Sequence, residues 1–335
     1  MRADAENTLK EHGVICHSIP IERSPLRLRE NLNAYRTLKS LLKKEHFAGV
    51  HCHTPMGGVV GRLAANATHT APVLYTAHGF HFYKGCPLKN RLIYQTAETF
   101  LARYTDAQIT INQEDYAAAQ KFPLRGKAYY VPGIGVDVKK ISSVQVDRAT
   151  KRAELGIPED AFAFLTVGEL IPRKGHELLI RAFAKSNISG AQLLICGSGR
   201  EKEHLTALIK ELGISDRAHL LGFRNDIYEL LKCTDAFVFP SKQEGLPVAL
   251  MEAMAAGLPC IASRIRGNVD LLPDSRYLFE SSDESTLCQL MQNAVNGVQV
   301  DQECAQNKKD AGAVRGEECQ RMYAENLYGT VGDKQ

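Results

Sequence analysis

The fold of this 335-residue chain is decided by one stretch: Glu244-Gly245-Leu246-Pro247-Val248-Ala249-Leu250-Met251-Glu252-Ala253-Met254-Ala255-Ala256-Gly257. It follows a short apolar segment, residues 235–240, that is typical of a buried strand. The stretch itself predicts a loop turning into a helix, because Pro247 suits the first helical turn and Gly257 the position just past the end. Since the helix is apolar on every side except at Glu252, we expect most of it to be buried.

Two carboxylates flank this predicted turn. A buried carboxylate such as that of Glu252 is costly unless it meets hydrogen-bond donors. Glu244 lies eight residues earlier, at the mouth of the loop, and the helix N-terminus offers free N–H groups to an anion. This pattern indicates a site that binds sugar hydroxyls around a phosphate. The alternative, two solvated glutamates on an ordinary helix, fits poorly with a helix that has no polar face.

The spacing of the two glutamates resembles the donor-site motif of the family-4 retaining glycosyltransferases. The resemblance implies the GT-B fold, an α/β fold in which two Rossmann-like domains with parallel sheets face each other across a cleft. It also implies that Glu252 holds the ribose hydroxyls of a nucleotide-sugar donor and that Glu244 holds the hydroxyls of the donor sugar. The residues that complete this donor-binding turn are Gly245, Leu246, Pro247 and Val248.

Length and composition fit a two-domain globular protein. The chain is long enough for two ordinary domains, and 44% hydrophobic with 24% charged residues is normal for such proteins. The nine cysteines show neither CxxC spacing nor a regular framework, which predicts reduced thiols in a cytoplasmic protein. No apolar run approaches the roughly 18 residues of a membrane span, and no signal peptide opens the chain.

Charge is distributed unevenly along the chain. Residues 1–140 carry 19 Lys and Arg against 11 Asp and Glu, a net +8, and the remainder carries 22 against 27, a net −5. Part of the basic excess lies in Arg23, Arg27, Arg29, Arg36, Lys39, Lys43 and Lys44. This cluster favours either peripheral contact with an anionic membrane surface or a lipid-diphosphate acceptor, with an ordinary solvated helix face as the alternative. We expect no nucleic-acid partner.

Strand and helix patterns alternate along the whole chain, which predicts parallel sheets covered by helices. The predicted domains are residues 1–137, a linker at 138–150, a nucleotide-sugar-binding domain at 151–302 and a helical tail at 303–335. The first domain is predicted to open with a helix and a strand at 14–19. The strand–loop–helix–strand that usually opens this family is not found, so we expect a first domain incomplete at its N-terminus. The resemblance implies that the tail packs back on the first domain.

A second motif follows the predicted strand at 162–167. Arg173 and Lys174 lie just before a helix, where cations oppose the helix dipole unless an anion intervenes. The segment from Gly168 to His176 resembles the family's diphosphate-binding segment, which implies that Lys174 contacts the donor phosphates with Arg173 beside it. Many members carry Arg where this chain has Glu169, so one phosphate contact differs. A surface basic pair is the alternative.

Two glycine turns extend the predicted donor site. Gly197 and Gly199 follow a strand and precede a helix, where glycine permits close approach of a ligand. As half of a GxGxxG motif they are a weak signal, since Lys202 stands in place of the third glycine. By the resemblance, Phe223 and Arg224 lie where the nucleobase binds, although Phe223 suits a core position equally well.

Histidines mark the predicted first domain. His78 lies at the carboxyl end of a strand, where ligands collect in open α/β sheets, and it resembles the family's cleft histidine that contacts the transferred sugar. His81 is a weaker candidate. The segment His53-Thr54 with Gly57 and Gly58 at a helix start is predicted to line the acceptor side of the cleft. His51 and His53 share one face, but no third ligand accompanies them, so we expect no metal site.

These observations predict a retaining, metal-independent glycosyltransferase that needs no cofactor. It would move a hexose from a nucleotide-diphosphate sugar, the donor being a UDP-sugar, to a glycan or lipid-linked saccharide acceptor. The match resembles bacterial capsule and exopolysaccharide enzymes. The alternatives are a UDP-sugar epimerase or hydrolase on the same fold, a nucleotide-sugar-binding protein without turnover, and a nicotinamide dehydrogenase that rests only on Gly197 and Gly199.

Overall fold

A computed structural model describes residues 3–133, 135–273 and 276–297. The described residues form two compact units. The first takes in the chain up to residue 109 together with 118–129, and the second takes in 110–117 and the chain from 130 onward. Each contains a sheet covered by helices, which confirms the predicted α/β class.

The first part of the chain builds a four-stranded sheet with strand order β1-β2-β3-β4. Its elements are α1 (Ala3–Glu11), α2 (Leu28–Glu45), β1 (Val50–His53), α3 (Pro55–Thr68), β2 (Val73–Ala77), α4 (Leu88–Ala102), β3 (Ala107–Thr110), α5 (Gln113–Ala119) and β4 (Lys127–Tyr130). Strands β1 and β2 are parallel, with His53 opposite Thr76. The carboxyl ends of these two strands therefore lie side by side.

A buried ion pair lies beneath this sheet. Arg62 on α3 is fully buried and donates from Nη2 to Oε2 of Glu98 on α4 at 2.9 Å. Its guanidinium lies 4.0 Å from the centre of the Tyr75 ring. Gly58 is needed here because a Cβ at that position would lie 2.6 Å from the same ring. The pair ties two helices to the central strand.

The second part of the chain builds a six-stranded sheet with strand order β10-β9-β8-β5-β6-β7, in which every neighbouring pair is parallel. Its first elements are α6 (Val138–Ser143), α7 (Arg148–Glu154), β5 (Ala163–Val167), a 3-10 turn (Pro172–Lys174), α8 (His176–Ser186), β6 (Gln192–Cys196) and α9 (Lys202–Glu211). There follow β7 (Ala218–Gly222), α10 (Ile227–Cys233), β8 (Ala236–Phe239), α11 (Val248–Ala256), β9 (Cys260–Ser263), α12 (Asn268–Leu271), β10 (Leu278–Phe279) and α13 (Glu284–Val295).

Two apolar cores lie on opposite faces of this sheet. Alternate side chains of β5, such as Leu165 and Phe164, enter different cores, as expected for a strand covered on both sides. One core contains α10 and α11, and the other contains α8, α9 and α13. Helix α11 is largely buried, as its apolar sequence predicts, and it ends at Gly257 in the left-handed conformation.

The structure differs from the sequence analysis in three places. Residues 14–19 form no strand, since Ile15 is 80% exposed and the segment joins no sheet. The stretch predicted as a linker contains α6 and the start of α7. Pro247 precedes the first turn of α11 instead of standing in it. The predicted tail helix lies outside the described residues. Within the described ranges, no helix is long and apolar enough to cross a membrane.

Candidate functional site

The loops after β5 and β8 meet because these strands are neighbours in the sheet. The first loop carries Arg173 and Lys174, and the second, which we call the 241–247 loop, carries Glu244. Oε1 of Glu244 accepts from Lys174 Nζ at 2.7 Å, from Arg173 Nη1 at 3.1 Å and from the Ser241 hydroxyl at 2.5 Å. The sheet thus joins two motifs that are 70 residues apart in sequence.

The anion that the Arg173–Lys174 pair requires is supplied by the chain itself. The side chains of Glu244 and Lys174 are only 11% and 16% exposed, so their attraction is little screened by water. Lys174 also lies 5.3 Å from the centre of the Phe239 ring. Within the described residues, Oε2 of Glu244 has no donor, which leaves one carboxylate oxygen able to accept from a ligand hydroxyl.

Glu252 projects from the buried helix α11 and is itself partly buried. Burial raises the pKa of this carboxyl, while a hydrogen bond from Tyr228 on α10 opposes the rise. The same burial, with Glu252 nearby, raises the pKa of the Tyr228 hydroxyl. Tyr228 was not singled out from the sequence, because nothing local relates it to a residue 24 positions further on. Within the described ranges, Glu252 is therefore a desolvated acceptor that receives a hydrogen bond from Tyr228.

The predicted glycine turns hold neighbouring loops together. Gly168 N donates to the carbonyl of Cys196 at 2.9 Å, and Gly197 N to the carbonyl of Gly222 at 2.8 Å. A Cβ on Gly197 would lie 1.8 Å from the carbonyl oxygen of Gly168. Gly199 packs on Leu170 in the same way. These contacts give both glycines a structural reason, and their contact with a donor stays a prediction.

The predicted nucleobase residues follow β7. Phe223 is 65% exposed, so the alternative of a core position is wrong. Arg224 is engaged by its own chain, with Nε 2.8 Å from Oδ1 of Asp226 and a further ion pair to Glu154 at 3.4 Å. Phe223 therefore presents an open aromatic face, whereas Arg224 must exchange an existing partner to meet a ligand.

The predicted donor-binding turn is supported from below by a second turn, residues 263–268, that the sequence analysis missed. Arg266 Nε donates to the carbonyl of Glu244 at 3.0 Å. A Cβ on Gly267 would lie 2.2 Å from the carbonyl oxygen of Gly245. Leu246 is buried and leads into Pro247 and the exposed Val248 at the start of α11. In the part of the chain that the structure describes, the first N–H groups of α11 meet no side-chain cap, since Pro247 precedes them.

In the first unit, the structure brings three histidines together at the carboxyl ends of β1 and β2. His53 Nδ1 lies 3.0 Å from His78 Nε2, and His51 Nε2 lies 2.8 Å from the Thr76 hydroxyl. Partial burial lowers the pKa of His53 and of His78, and with the neighbouring rings it lowers the pKa of His51 to about 4. The three rings are therefore neutral near pH 7.

The remaining first-unit candidates have separate places. Thr54 caps α3 by accepting from Gly57 N at 3.3 Å, and Gly58 packs on Tyr75 as described above. His81 packs against Tyr94, with ring centres 5.0 Å apart and the rings tilted by 38°. In the described ranges, no cluster of three or more His, Cys, Asp or Glu side chains is arranged to hold a metal ion.

Comparison with known proteins identifies the family. Residues 147–311 match the model "Glycosyl transferases group 1", and residues 2–112 match "Glycosyl transferase 4-like". EpsD of Bacillus subtilis strain 168, named as a glycosyltransferase, is 40% identical over 78% of this chain and 70% of its own length. The chain belongs to the group 1 glycosyltransferases. This glycosyltransferase is also 33% identical to the UDP-Gal:alpha-D-GlcNAc-diphosphoundecaprenol alpha-1,3-galactosyltransferase of Escherichia coli, over 77% of the chain and 69% of that protein.

Solved structures identify the fold of this glycosyltransferase as GT-B. HepE of Anabaena, determined in complex with UDP-glucose, aligns with a TM-score of 0.81 at 19% identity, covering 98% of this chain and 90% of HepE. The sucrose-phosphate synthase of Thermosynechococcus elongatus aligns with a TM-score of 0.80 at 22% identity, covering 96% and 86%. At these identities the likeness concerns the fold alone.

Proposed function

We propose that this glycosyltransferase transfers a hexose from a UDP-sugar to a lipid-linked saccharide or glycan acceptor in surface polysaccharide synthesis, with retention of configuration and without a metal or other cofactor. The observation that carries the proposal is the bonding of Glu244 to Arg173 and Lys174 beside the uncapped start of α11. Cations and free N–H groups in one place suit a diphosphate.

In this proposal, the donor diphosphate takes the place that the Glu244 carboxylate now occupies on the two cations. Lys174, Arg173 and the first N–H groups of α11 then stabilise the negative charge that develops on the leaving UDP. Glu244, released from the cations, accepts from hydroxyls of the donor sugar. Glu252 accepts from the ribose hydroxyls, and Phe223 offers its exposed ring to the base. His78 contacts the transferred sugar.

The relatives support the choice of donor and acceptor class. The galactosyltransferase of Escherichia coli is named for a UDP-sugar donor and a lipid-diphosphate acceptor, and HepE was solved with UDP-glucose. UDP-galactose with a diphosphate-linked N-acetylglucosamine lipid is therefore the first substrate pair to test.

Calorimetric titration of UDP tests the donor site. We expect the wild-type protein to bind UDP in the micromolar to millimolar range typical of enzyme substrates, and Glu252→Ala to lose most of that affinity. Glu211→Ala on the exposed side of α9 is the matched control and should bind as the wild type does. Folded wild-type protein that binds no UDP would contradict the proposal.

Product analysis then separates the enzyme classes. Transfer of the sugar to the acceptor supports the proposal, whereas free sugar or an epimerised UDP-sugar identifies a hydrolase or an epimerase. UDP binding with no turnover of a panel of UDP-sugars identifies a binding protein. The anomeric configuration of the product, determined by NMR, decides whether it is retained.

We further propose that the first unit contacts an anionic membrane surface. Apolar side chains on α4 are solvent-exposed, with Leu88 at 82% and Leu92 at 72%. Lys89 and Arg91 beside them are exposed cations, and an apolar stripe among cations suits an anionic lipid interface. The wild type should sediment with anionic vesicles, and the variant Leu88→Ser/Leu92→Ser should stay in the supernatant. Neither protein should sediment with neutral vesicles.

A further inference from the structure

The 263–268 turn contacts the main chain of the 241–247 loop. Arg266 Nε donates to the carbonyl of Glu244 at 3.0 Å, one residue before the point where Gly267 meets the carbonyl of Gly245. Ser263 donates to the carbonyl of Ser241 at the other end of the loop. The main chain of Glu244 is therefore placed by the turn, while its side chain faces Arg173 and Lys174.

Arg266 is itself fixed by a buried carboxylate in the same unit. Its Nη1 lies 2.6 Å from Oδ1 of Asp115, and the two side chains are 4% and 1% exposed. The other oxygen of Asp115 accepts from Asn112 Nδ2 at 2.8 Å, and Asn112 is fully buried. An arginine held at one end in this way presents its Nε–H in a fixed direction.

We propose that Arg266 is a positioning residue for donor binding, which holds the main chain of Glu244 so that the loop and the start of α11 face the donor diphosphate. The inference rests on the proposed function of the 241–247 loop. Arg266 does not contact the donor in this scheme. Its effect is transmitted through the carbonyl of Glu244.

A merely structural role for the ion pair makes a different prediction. If Arg266 only stabilised the fold, UDP affinity would change in step with stability across variants. Asp115→Asn removes the charge opposite Arg266 and lowers stability, yet keeps an oxygen acceptor and the donation to Glu244. Arg266→Met/Asp115→Leu removes both buried charges, a replacement that is often neutral or stabilising, but leaves the carbonyl of Glu244 without this donor.

The test measures urea unfolding and UDP affinity on the full chain for the wild type and both variants. We expect Asp115→Asn to unfold at lower urea but to bind UDP within about twofold of the wild type. We expect the double variant to unfold at higher urea than Asp115→Asn but to bind UDP about tenfold more weakly, the effect of one lost hydrogen bond. Affinity that follows stability in all three proteins would overturn the proposal.

Hydrogen exchange of the free protein separates this inference from the donor assignment. The amides of residues 244–246 and 248–250 should exchange faster in the double variant than in Asp115→Asn, with no ligand present. If the wild type binds no UDP, the proposed function fails, and unchanged exchange in this segment would overturn the positioning role separately. Arg266→Lys, which keeps the charge without the Nε–H, should also exchange faster and serves if the double variant does not fold.

Discussion

Both candidate sites lie at the carboxyl ends of parallel strands, yet one contains charged side chains and the other contains neutral ones. After β5 and β8, one carboxylate pairs with two cations at distances of 2.7 and 3.1 Å, which leaves a net positive charge. In β1 and just after β2, His51, His53 and His78 form a group of neutral rings whose pKa values burial lowers. A parallel sheet therefore fixes where polar groups gather, while the side chains decide whether the place is charged.

The two arrangements suit different chemical groups of a ligand. Full charges with N–H groups recognise phosphate, because charge-assisted hydrogen bonds are the strong ones. Neutral imidazoles can donate and accept at once, as hydroxyl groups do. We expect substitutions in the second unit to act on the diphosphate and substitutions among the histidines to act on the sugar.

The largest expected effect concerns stability and involves neither site. Glu98→Ala leaves the fully buried Arg62 without its carboxylate, and breaking such a pair costs about 3–5 kcal/mol. Urea unfolding should show this loss, and Arg62→Met/Glu98→Leu should recover most of it. Glu45→Ala, which removes an exposed partner of Lys44, should leave the transition unchanged. Equal destabilisation by the single and double variants would mean that the pair is not the cause.

The next effect tests the charged site directly. On the proposed function, Lys174→Ala removes a hydrogen-bond donor to the leaving diphosphate, and we expect kcat for UDP-sugar turnover to fall about 10²- to 10³-fold. Release of UDP gives the rate. Lys210→Ala provides the control, because Lys210 is an exposed residue of α9. A change of KM alone, with kcat intact, would show that Lys174 serves binding and not the departure of UDP.

A third prediction contrasts the histidines of the first unit with His176, which is 3% exposed at the start of α8. Burial lowers its pKa to about 4 from 6.5. The unfolded chain then binds the proton more readily, so the stability due to neutral His176 is complete above pH 6.5 and is lost as the pH falls toward 4.

His176→Gln cannot take up this proton. Between pH 7 and pH 4.5 its free energy of unfolding should therefore fall by about 2–3 kcal/mol less than that of the wild type. Urea unfolding at both pH values measures the difference. His204→Gln removes an exposed histidine and should follow the wild type. Parallel losses in His176→Gln and the wild type would exclude this source of acid sensitivity.

The smallest expected effect lies in the neutral site. His53→Ala removes the hydrogen-bond partner of His78, and we expect kcat for UDP-sugar turnover to fall about 3- to 10-fold, as for one neutral hydrogen bond. UDP affinity should not change, since no charge is altered. His53→Gln should recover part of the rate, and His17→Ala is the control. A loss of UDP affinity in His53→Ala would contradict the prediction that the histidines do not affect UDP binding.

Much of the fold was readable because its signals are local. The strands predicted at residues 162–167 and 235–240 are β5 and β8, since apolar patterning depends only on near neighbours. The predicted strand at 14–19 is wrong for the complementary reason. An apolar alternation becomes a strand only beside a sheet edge, and Val14 and Ile15 remain exposed.

The site was readable only in part, because its contacts depend on strand order. The sequence indicates Glu244 and Lys174 as separate motifs, but their direct bond follows from β5 lying next to β8. The pairing of Asp115 with Arg266, 151 residues away, has no local signal at all.

The bond between Glu244 and the two cations also affects which anions can bind to Arg173 and Lys174. A carboxylate attached to the same chain stays close to its partners and competes at a high effective concentration. Orthophosphate has no further interactions to offset the free energy of displacing this carboxylate. A nucleotide-sugar brings a base, a ribose and a sugar that add their own interactions. On the proposed function, we expect the tethered carboxylate of Glu244 to favour a nucleotide-sugar over simple phosphate ions at these two cations.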